Sequence, residues 1–231
     1  MKKFCIISLV LIASIIGIVF IVASLTSNDK FIYKNYTSNE KEIYAIVIDV
    51  EDREVEISQS VDDNIHVEYY ESEKEFYNLS INDNNEFIIS IAYNKSWLDY
   101  IGKKPNENYR KIHLQVPNNL LNSIQITTTN EDIKLNNVSF TESIALNTNG
   151  GNVEFDNIFV GKQINLIAKN GSITGTIKGD WSDFSISCKI KKGNCNLPTY
   201  KDGGTKMLIA DCNNGNININ FIWLTCSRNN S

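Results

Sequence analysis

Apolar and polar residues alternate in short runs along most of the chain, and from residue 123 the runs recur at a fixed spacing. Alternation with a period of two is typical of β-strands that bury one face. Equivalent positions are first twenty and then twenty-two residues apart, as in Ile124, Ile144 and Ile164 and then in Gly171, Gly193 and Gly215. Five successive passes of this kind indicate a repeat.

Each pass contains two alternating runs with a turn between them. In the second pass the runs are Ile144 to Leu146 and Val153 to Phe155, and Asn149-Gly150-Gly151 separates them. Asparagine and glycine tolerate the positive φ that sharp turns need. Such turns also suit antiparallel hairpins, but a fixed period favours coils in which like positions stack, with asparagine side chains available for ladders.

A unit of about twenty residues cannot bury its own apolar face, so neighbouring units must cover one another. We therefore predict an all-β fold, in which residues 123–224 form a β-solenoid or β-helix-like repeat with a period of about 20–22 residues. Residues 43–122 are β-patterned without the fixed period. Because a solenoid end needs covering, we expect them to form an irregular β region that caps the repeat. The close succession of strands favours an antiparallel region, and the alternative is a set of irregular first coils.

The chain begins with Lys2 and Lys3, followed by an uncharged, apolar stretch. Residues 4–24 are long enough to cross a bilayer as a helix. This predicts that residues 1–28 hold a cytoplasmic stub and one transmembrane anchor. The alternative is a secretory signal cleaved near Val22-Ala23-Ser24.

The remaining terminal segments are predicted to lie outside the folded body. Residues 29–42 are polar and aperiodic, which favours a stalk. Residues 225–231 are expected to form a frayed tail. Lysines before the apolar stretch and a polar chain after it predict a single-pass protein of the cell membrane, with its C-terminal domain outside the cytoplasm.

Three segments before the repeat carry a family resemblance: Val55 to Ser58, Ser60 to Val67 and Ile112 to Pro117. Together with the Asn-Gly repeats, they resemble the bacterial putative-adhesin family of envelope β-strand-repeat proteins, over about residues 43–221. Membership implies a β-solenoid-like fold outside the cytoplasm, often in Gram-positive bacteria. The family has no established activity, so the resemblance implies no catalytic residues. The insert at residues 95–109 departs from the short family consensus.

Charge and motif content narrow the function. The chain has 22 basic and 27 acidic residues, which argues against a nucleic-acid partner. His66 and His113 are flanked by inward-facing aliphatic residues and are predicted to face solvent. The sequence has no Gly-x-Ser-x-Gly elbow, phosphate loop or His-Glu-x-x-His pattern. We predict a protein that is not an enzyme, without catalytic, cofactor-binding or metal-binding residues and without a cofactor.

Two groups of residues are candidates for a special role. The first is an apolar cluster in a predicted loop. Aromatic residues in loops often form contact sites for partners. Its candidate interaction residues are Trp97, Leu98, Tyr100 and Ile101. The alternative is that they fold down to close the solenoid end.

The second group is a pair of cysteines, Cys188 and Cys195, which flank one turn and face one interior. Buried free thiols are the preferred interpretation, and a disulfide between them is the alternative in an oxidising compartment. Aligned to the repeat, Cys188 is equivalent to Ala210, and Cys212 is equivalent to Ile190.

These observations predict a membrane-anchored, extracytoplasmic module that is non-catalytic and acts in adhesion or envelope binding. Candidate partners are a cell-wall polymer, a host surface ligand or a membrane protein, with the membrane itself contacted through residues 4–24. Two alternatives stay open. One is an envelope-stress regulatory component that acts through membrane partners, and the other is a carbohydrate-active β-helix enzyme.

Overall fold

A computed structural model describes residues 29–38, 43–97, 99–100, 104–117 and 121–222 of the chain. These residues form strands and two single turns of 3-10 helix, Glu107–Arg110 and Trp181–Asp183. The strands are β1 (Ile32–Ser38), β2 (Ala45–Asp49), β3 (Glu54–Gln59), β4 (Ile65–Glu71), β5 (Glu75–Ile81), β6 (Glu86–Tyr93), β7 (Lys111–Val116), β8 (Ser123–Thr128), β9 (Ile133–Asn136), β10 (Ser139–Phe140), β11 (Ser143–Thr148), β12 (Val153–Val160), β13 (Gln163–Ala168), β14 (Ile173–Lys178), β15 (Phe184–Lys192), β16 (Tyr200–Lys201), β17 (Lys206–Asn214) and β18 (Ile217–Ile222).

The strands lie in two mixed sheets of nine strands each. Sheet 1 has the order β1-β4-β7-β3-β9-β12-β14-β18, with β10 paired to β12. Sheet 2 has the order β16-β15-β17-β13-β11-β8-β2-β6-β5. From β8 to β14 each pass of the chain contributes to both sheets, and the inward aliphatic residues of the two sheets form one core.

Neighbouring passes pair in parallel, with equivalent residues opposite each other. Ile144 in β11 pairs with Ile124 in β8 and with Ile164 in β13. Strand β12 is paired in parallel with β9 and β14 in the same way. The Asn-Gly turns therefore connect the two sheets, and the hairpin alternative is wrong. A slip of one residue would turn every inward side chain to solvent, so the register is strongly specified.

The last passes do not stack in the order of the sequence. Gly215 lies against Gly171, and Gly193 lies against Gly215, because β17 is inserted between β13 and β15. Strands β17 and β18 cover β13 and β14 along their lengths. The pass that contains β15 has no strand in sheet 1 among the described residues, and it meets β18 through an isolated bridge between Cys195 and Ile217.

The predicted antiparallel cap is wrong for the strands next to the repeat, which continue it as irregular first coils. Strands β2 and β3 pair in parallel with β8 and β9, which places Ile46 opposite Ile124 and Val55 opposite Ile133. Strands β6 and β7 extend these parallel ladders. At this end of the described chain, antiparallel pairs join β1 to β4, β4 to β7 and β5 to β6. The spacing of the repeat did not reveal these partners because long insertions separate them.

The transmembrane helix of the predicted fold class is not supported by the structure. Within the described residues, no helix is long and apolar enough to cross a membrane. The single-pass localisation rested on residues 4–24, which lie outside the described residues, as do the predicted tail and its neighbours at 223–231.

Part of the predicted stalk at residues 29–42 is a strand. Strand β1 pairs with β4 over its whole length. The Tyr36 ring stacks on Phe87, with 5.4 Å between ring centroids. Backbone pairing and this ring contact give the segment an ordered place at the edge of sheet 1.

Close packing of the coils requires glycine at one column of turns. A Cβ atom on Gly171 would lie 1.9 Å from the carbonyl oxygen of Gly151. A Cβ on Gly193 would lie equally close to the carbonyl oxygen of Gly215. These distances are far inside van der Waals contact, so only glycine allows the backbones to approach this closely.

A ladder of polar side chains runs along the same turns. Asp132 Oδ1 accepts a hydrogen bond from Asn152 N at 2.7 Å, and Asn152 Oδ1 accepts one from Ser172 N at 2.9 Å. Ser172 Oγ accepts from Asn216 N at 3.1 Å, and Asn216 Oδ1 accepts from Asn194 N at 2.9 Å. Each of these four accepting side chains thus satisfies a backbone N–H of the adjacent coil, and Asn194 ends the series through its own N–H. We call these five residues the turn ladder.

Candidate functional site

The loop that follows β6 exposes large aromatic side chains. Strand β6 ends at Tyr93, and the described residues 94–97, 99 and 100 are in neither strand nor helix. Trp97 is 67% exposed and Tyr100 is 66% exposed. Their exposure shows that these two rings do not close the end of the coil stack. We call residues 93–100 the aromatic loop.

The four predicted interaction residues are only partly described. Trp97 and Tyr100 both lie on the aromatic loop, three residues apart. Leu98 and Ile101, the other two candidates, lie outside the described residues. The prediction that the four act together as an interaction site therefore stays a prediction.

A tight turn holds the exposed rings in place. Ser96 donates two hydrogen bonds to Asp99 Oδ2, from N at 2.8 Å and from Oγ at 2.7 Å. On the other side of the carboxylate, Lys74 Nζ lies 2.6 Å from Asp99 Oδ1. The lysine first, and then the serine, lower the pKa of Asp99 to about 2. The carboxylate is therefore charged at neutral pH and fastens the loop to the start of β5.

Lys95 belongs to the aromatic loop and contacts two of its rings. Its Nζ atom is 4.6 Å from the centroid of the Tyr93 ring and 5.5 Å from that of Tyr100. The same atom is 2.5 Å from Glu75 Oε1. A cation over two ring faces is attracted by their quadrupoles, so Lys95 links both rings to a carboxylate in the protein interior.

That carboxylate belongs to a buried polar network. Arg53 donates from Nη2 to Glu75 Oε2, and both side chains are almost fully buried. Arg53 also donates from Nε to the hydroxyl of Tyr77 at 2.8 Å. Thr128 Oγ donates to the Arg53 carbonyl oxygen at 2.8 Å, which ties the network to the first coil of the fixed-period repeat. Burial raises the pKa of Tyr77 to about 12.

Sequence reasoning missed Arg53 and Glu75. Arg53 follows Glu51 and Asp52 in a polar stretch that predicts a turn between two strands, and its partner is on a strand that the repeat does not include. One signal was present, since Glu75 and Tyr77 fall on the same inward face of β5. An acidic residue at an inward position indicates a buried partner of opposite charge.

A second charged group joins Lys104 and the turn between β2 and β3 to the repeat. Asp52 accepts hydrogen bonds from Asn130 Nδ2 at 2.6 Å and from Thr129 Oγ at 3.1 Å, and Lys104 Nζ lies 2.9 Å from Asp52 Oδ2. Burial by itself would raise the pKa of Asp52, but these partners outweigh it and the pKa is lowered.

The cations around the aromatic loop are neutralised by nearby carboxylates. The pairs are Lys74 with Asp29 and Asp99, Lys95 with Glu75, and Lys104 with Asp52. These three lysines face four carboxylates, so the described groups beside the exposed rings of Trp97 and Tyr100 carry no excess of positive charge. Such a surface favours a ligand without net charge.

A separate polar group joins the edge of sheet 1 to the turn before β4. Thr37 Oγ is 3.0 Å from His66 Nδ1, and His66 Nε2 is 2.9 Å from Asp62 Oδ1. Nucleophilic hydrolases use the same order of hydroxyl, imidazole and carboxylate. Here the hydroxyl is exposed on an edge strand, and Asp62 also accepts from Asn64 N at 2.8 Å and from Ser60 Oγ at 3.0 Å. We interpret this group as a structural contact that holds β1 against the turn before β4.

The two cysteines of the predicted pair lie together, at the opposite end of the coil stack from the aromatic loop. Cys188 Sγ is 3.0 Å from Cys195 Sγ. Cys188 is buried and Cys195 is half-buried. Cys188 pairs with Ala210 and Cys212 pairs with Ile190, which confirms the equivalences that the repeat predicts. Within the described ranges, no group of three or more His, Cys, Asp or Glu side chains is arranged to hold a metal ion.

Stacked coils with in-register parallel ladders define a class of β-repeat proteins, and the sequence places this chain in one family of that class. The family model described as Toastrack DUF4097 matches residues 43–176 and 121–220. The chain belongs to this family, and the predicted resemblance to the putative-adhesin family is confirmed.

A solved structure shows the same fold. A structure described as a putative cell adhesion protein from Clostridium sporogenes matches with a TM-score of 0.60 and 15% sequence identity, and the match covers 84% of this chain and 100% of that chain. A putative adhesin from Bacteroides fragilis also matches at 15% identity, covering 84% of this chain and 97% of that one, but its TM-score is 0.40. No curated protein matches the chain.

Proposed function

We propose that this protein is a non-catalytic, adhesion-type module that acts outside the cell and binds an uncharged polysaccharide on its aromatic loop. The observation that carries the proposal is the exposure of Trp97 and Tyr100 on a loop whose turn is hydrogen-bonded and ion-paired. Family membership and the fold of the clostridial cell adhesion protein support the adhesion role.

Flat, exposed aromatic rings are suited to sugars. Each ring offers a broad apolar face, and the tryptophan N–H and tyrosine O–H add a polar edge. The apolar face of a pyranose ring can pack on such a surface while the sugar hydroxyls stay in water. Because the Ser96–Asp99 turn already holds the loop, little conformational freedom is lost when a ligand binds.

The charge of the protein surface favours uncharged polysaccharides over negatively charged ones. The described lysines on and next to the loop are paired with carboxylates, and the chain as a whole has a net charge of -5. A negatively charged polymer would not be attracted to this surface, because these lysines are already neutralised and the net charge of the chain opposes its approach. Among the predicted partners, an uncharged wall or host polysaccharide therefore fits better than an anionic polymer.

The proposal can be tested by affinity binding of the purified full-length protein to chitin, cellulose and starch, with alginate as the negatively charged comparison. We expect binding to at least one of the uncharged polymers and little to alginate. Trp97→Ala and Tyr100→Ala should each weaken that binding by roughly tenfold or more, the loss typical of a central aromatic contact.

Tyr200→Ala is the matched control. Tyr200 is 69% exposed but lies in β16, away from the aromatic loop. Its removal should leave binding unchanged. Binding that survives Trp97→Ala, or no binding to any uncharged polymer, would refute the ligand assignment. Turnover of soluble oligosaccharides would refute the non-catalytic part.

A further inference from the structure

The last coils bring two thiols into direct contact. Cys188 and Cys195 are seven residues apart, on either side of the turn at Gly193, and their sulfur atoms are 3.0 Å apart. Gly193 has a φ of +123°, a conformation that side-chain-bearing residues rarely adopt. The sharp turn at this glycine lets the chain return the second cysteine to the first.

The coil architecture holds both thiols at this position. Cys188 lies on β15 opposite Ala210 in sheet 2, whereas Cys195 is bridged to Ile217 in sheet 1. Cys195 Sγ also accepts a hydrogen bond from Leu197 N at 3.3 Å. The contact thus spans the two sheets and is fixed by pairing on both sides.

We propose that Cys188 and Cys195 form a structural disulfide, which cross-links the two sheets at the end of the coil stack in an oxidising compartment. Disulfides persist in such compartments and are rare in the cytosol. The assignment concerns a covalent feature of the chain and is independent of ligand binding at the aromatic loop.

The bond can form by exchange with a low-molecular-weight disulfide such as oxidised glutathione. The thiolate of the half-buried Cys195 attacks one glutathione sulfur, which forms a mixed disulfide and releases one glutathione thiolate. Cys188 then attacks Cys195 Sγ and releases the second glutathione. The protein loses two protons and two electrons, and one oxidised glutathione becomes two reduced molecules.

The order of attack follows from burial. Desolvation, and then the neighbouring Cys195, raise the pKa of Cys188 well above that of an ordinary thiol. Because the thiolate is the reactive form, the more exposed Cys195 reacts first. Cys212, the third described cysteine, is buried and donates from Sγ to the Gly171 carbonyl oxygen at 3.2 Å, so it is a matched control.

Peptide mapping tests the bond directly, because Lys189, Lys191 and Lys192 lie between the two cysteines. Trypsin therefore places Cys188 in peptide 179–189 and Cys195 in peptide 193–201. After the full-length protein is equilibrated with oxidised glutathione, we expect a linked pair of these peptides, lighter by two hydrogens than their sum, that separates on reduction. Separate peptides, or a link from either to Cys212, would overturn the assignment.

Thermal unfolding gives a second readout. Reduction should lower the Tm of the wild-type protein by roughly 5 °C, since the disulfide closes a short loop in a domain of this size. Cys188→Ala and Cys195→Ala should abolish this reduction-dependent shift, and Cys212→Ala should retain it. Alanine fits at position 188 because its inward partner is already Ala210. A wild-type Tm that does not respond to reduction would also overturn the assignment.

Discussion

The guanidinium group of Arg53 is paired with the carboxylate of Glu75 in the protein interior, where their side chains are only 2% and 3% exposed. The second oxygen of Glu75 binds Lys95, whose ammonium group lies over the Tyr93 ring of the aromatic loop. One buried carboxylate on β5 therefore contacts both the turn between β2 and β3 and the aromatic loop. Its removal would leave the positive charges of Arg53 and Lys95 without this carboxylate partner.

We expect Glu75→Gln to lower the free energy of unfolding by about 3 kcal/mol or more, because an unpaired buried charge is strongly destabilising. Urea denaturation of the full-length protein measures this change. Glu73→Gln, at an exposed position two residues away, should change stability by less than about 0.5 kcal/mol. Equal stability of the two variants would contradict a structural role for the pair.

Tyr77 predicts how stability responds to alkaline pH. Its folded pKa is raised to about 12 by burial, whereas an unfolded tyrosine titrates near about 10. The folded state therefore holds the proton more tightly, and stability present below pH 10 is lost as the pH rises towards 12. Each pKa unit between the folded and unfolded states corresponds to about 1.4 kcal/mol in the free energy of unfolding.

Tyr77→Phe removes this titration. At pH 8 the variant should be less stable by about 1–2 kcal/mol, because the Arg53 Nε–H loses its acceptor. Between pH 9 and pH 11.5, however, its free energy of unfolding should fall less steeply than that of the wild type. Urea denaturation at several pH values measures both slopes, and Tyr200→Phe, at an exposed tyrosine, should keep the wild-type slope. Identical slopes for Tyr77→Phe and wild type would argue against the raised pKa.

Gly171→Ala tests the close approach of the coils. The new Cβ would meet the Gly151 carbonyl oxygen at 1.9 Å, and backbone atoms cannot yield as a flexible side chain would. We expect a loss of about 3 kcal/mol or more in urea denaturation. Gly203→Ala is the comparison, since Gly203 has a φ of +89° and open space around its Cβ position. It should lose only about 1–2 kcal/mol from backbone strain, and a larger loss there than at Gly171 would contradict the packing argument.

The turn ladder makes a prediction about Asn152. Asn152→Ala leaves the Ser172 N–H without its acceptor and should destabilise the protein by about 1–2 kcal/mol. Asn152→Asp keeps an oxygen at the same place, as Asp132 does one coil earlier, and should restore most of the loss. Thermal unfolding measured on the two variants decides the matter, and an aspartate variant no better than alanine would count against the ladder.

The candidate site was partly visible in the sequence. Trp97 and Tyr100 stand out because large apolar residues are unusual in a polar loop, and their exposure agrees with an external role. Arg53 and Glu75 could not be paired from sequence, because their contact depends on how a strand turn meets β5. The exchange of order between β15 and β17 was equally hidden, since both match the same repeat pattern.

The sequence by itself determined the features that each coil decides locally: the alternating strands, the turns, the residues that face the core, and the opposition of equivalent residues in neighbouring coils. Periodicity encodes these because every unit meets a copy of itself, so a regular pattern can satisfy only one register. Tertiary structure decided which strands become neighbours. Strands β2 and β3 join β8 and β9 across a long insertion, and β17 takes the place beside β13 that β15 would have in sequence order. Several strands share the same pattern, so the pattern cannot choose between them. The choice depends on how completely each strand covers the open edge of the sheet.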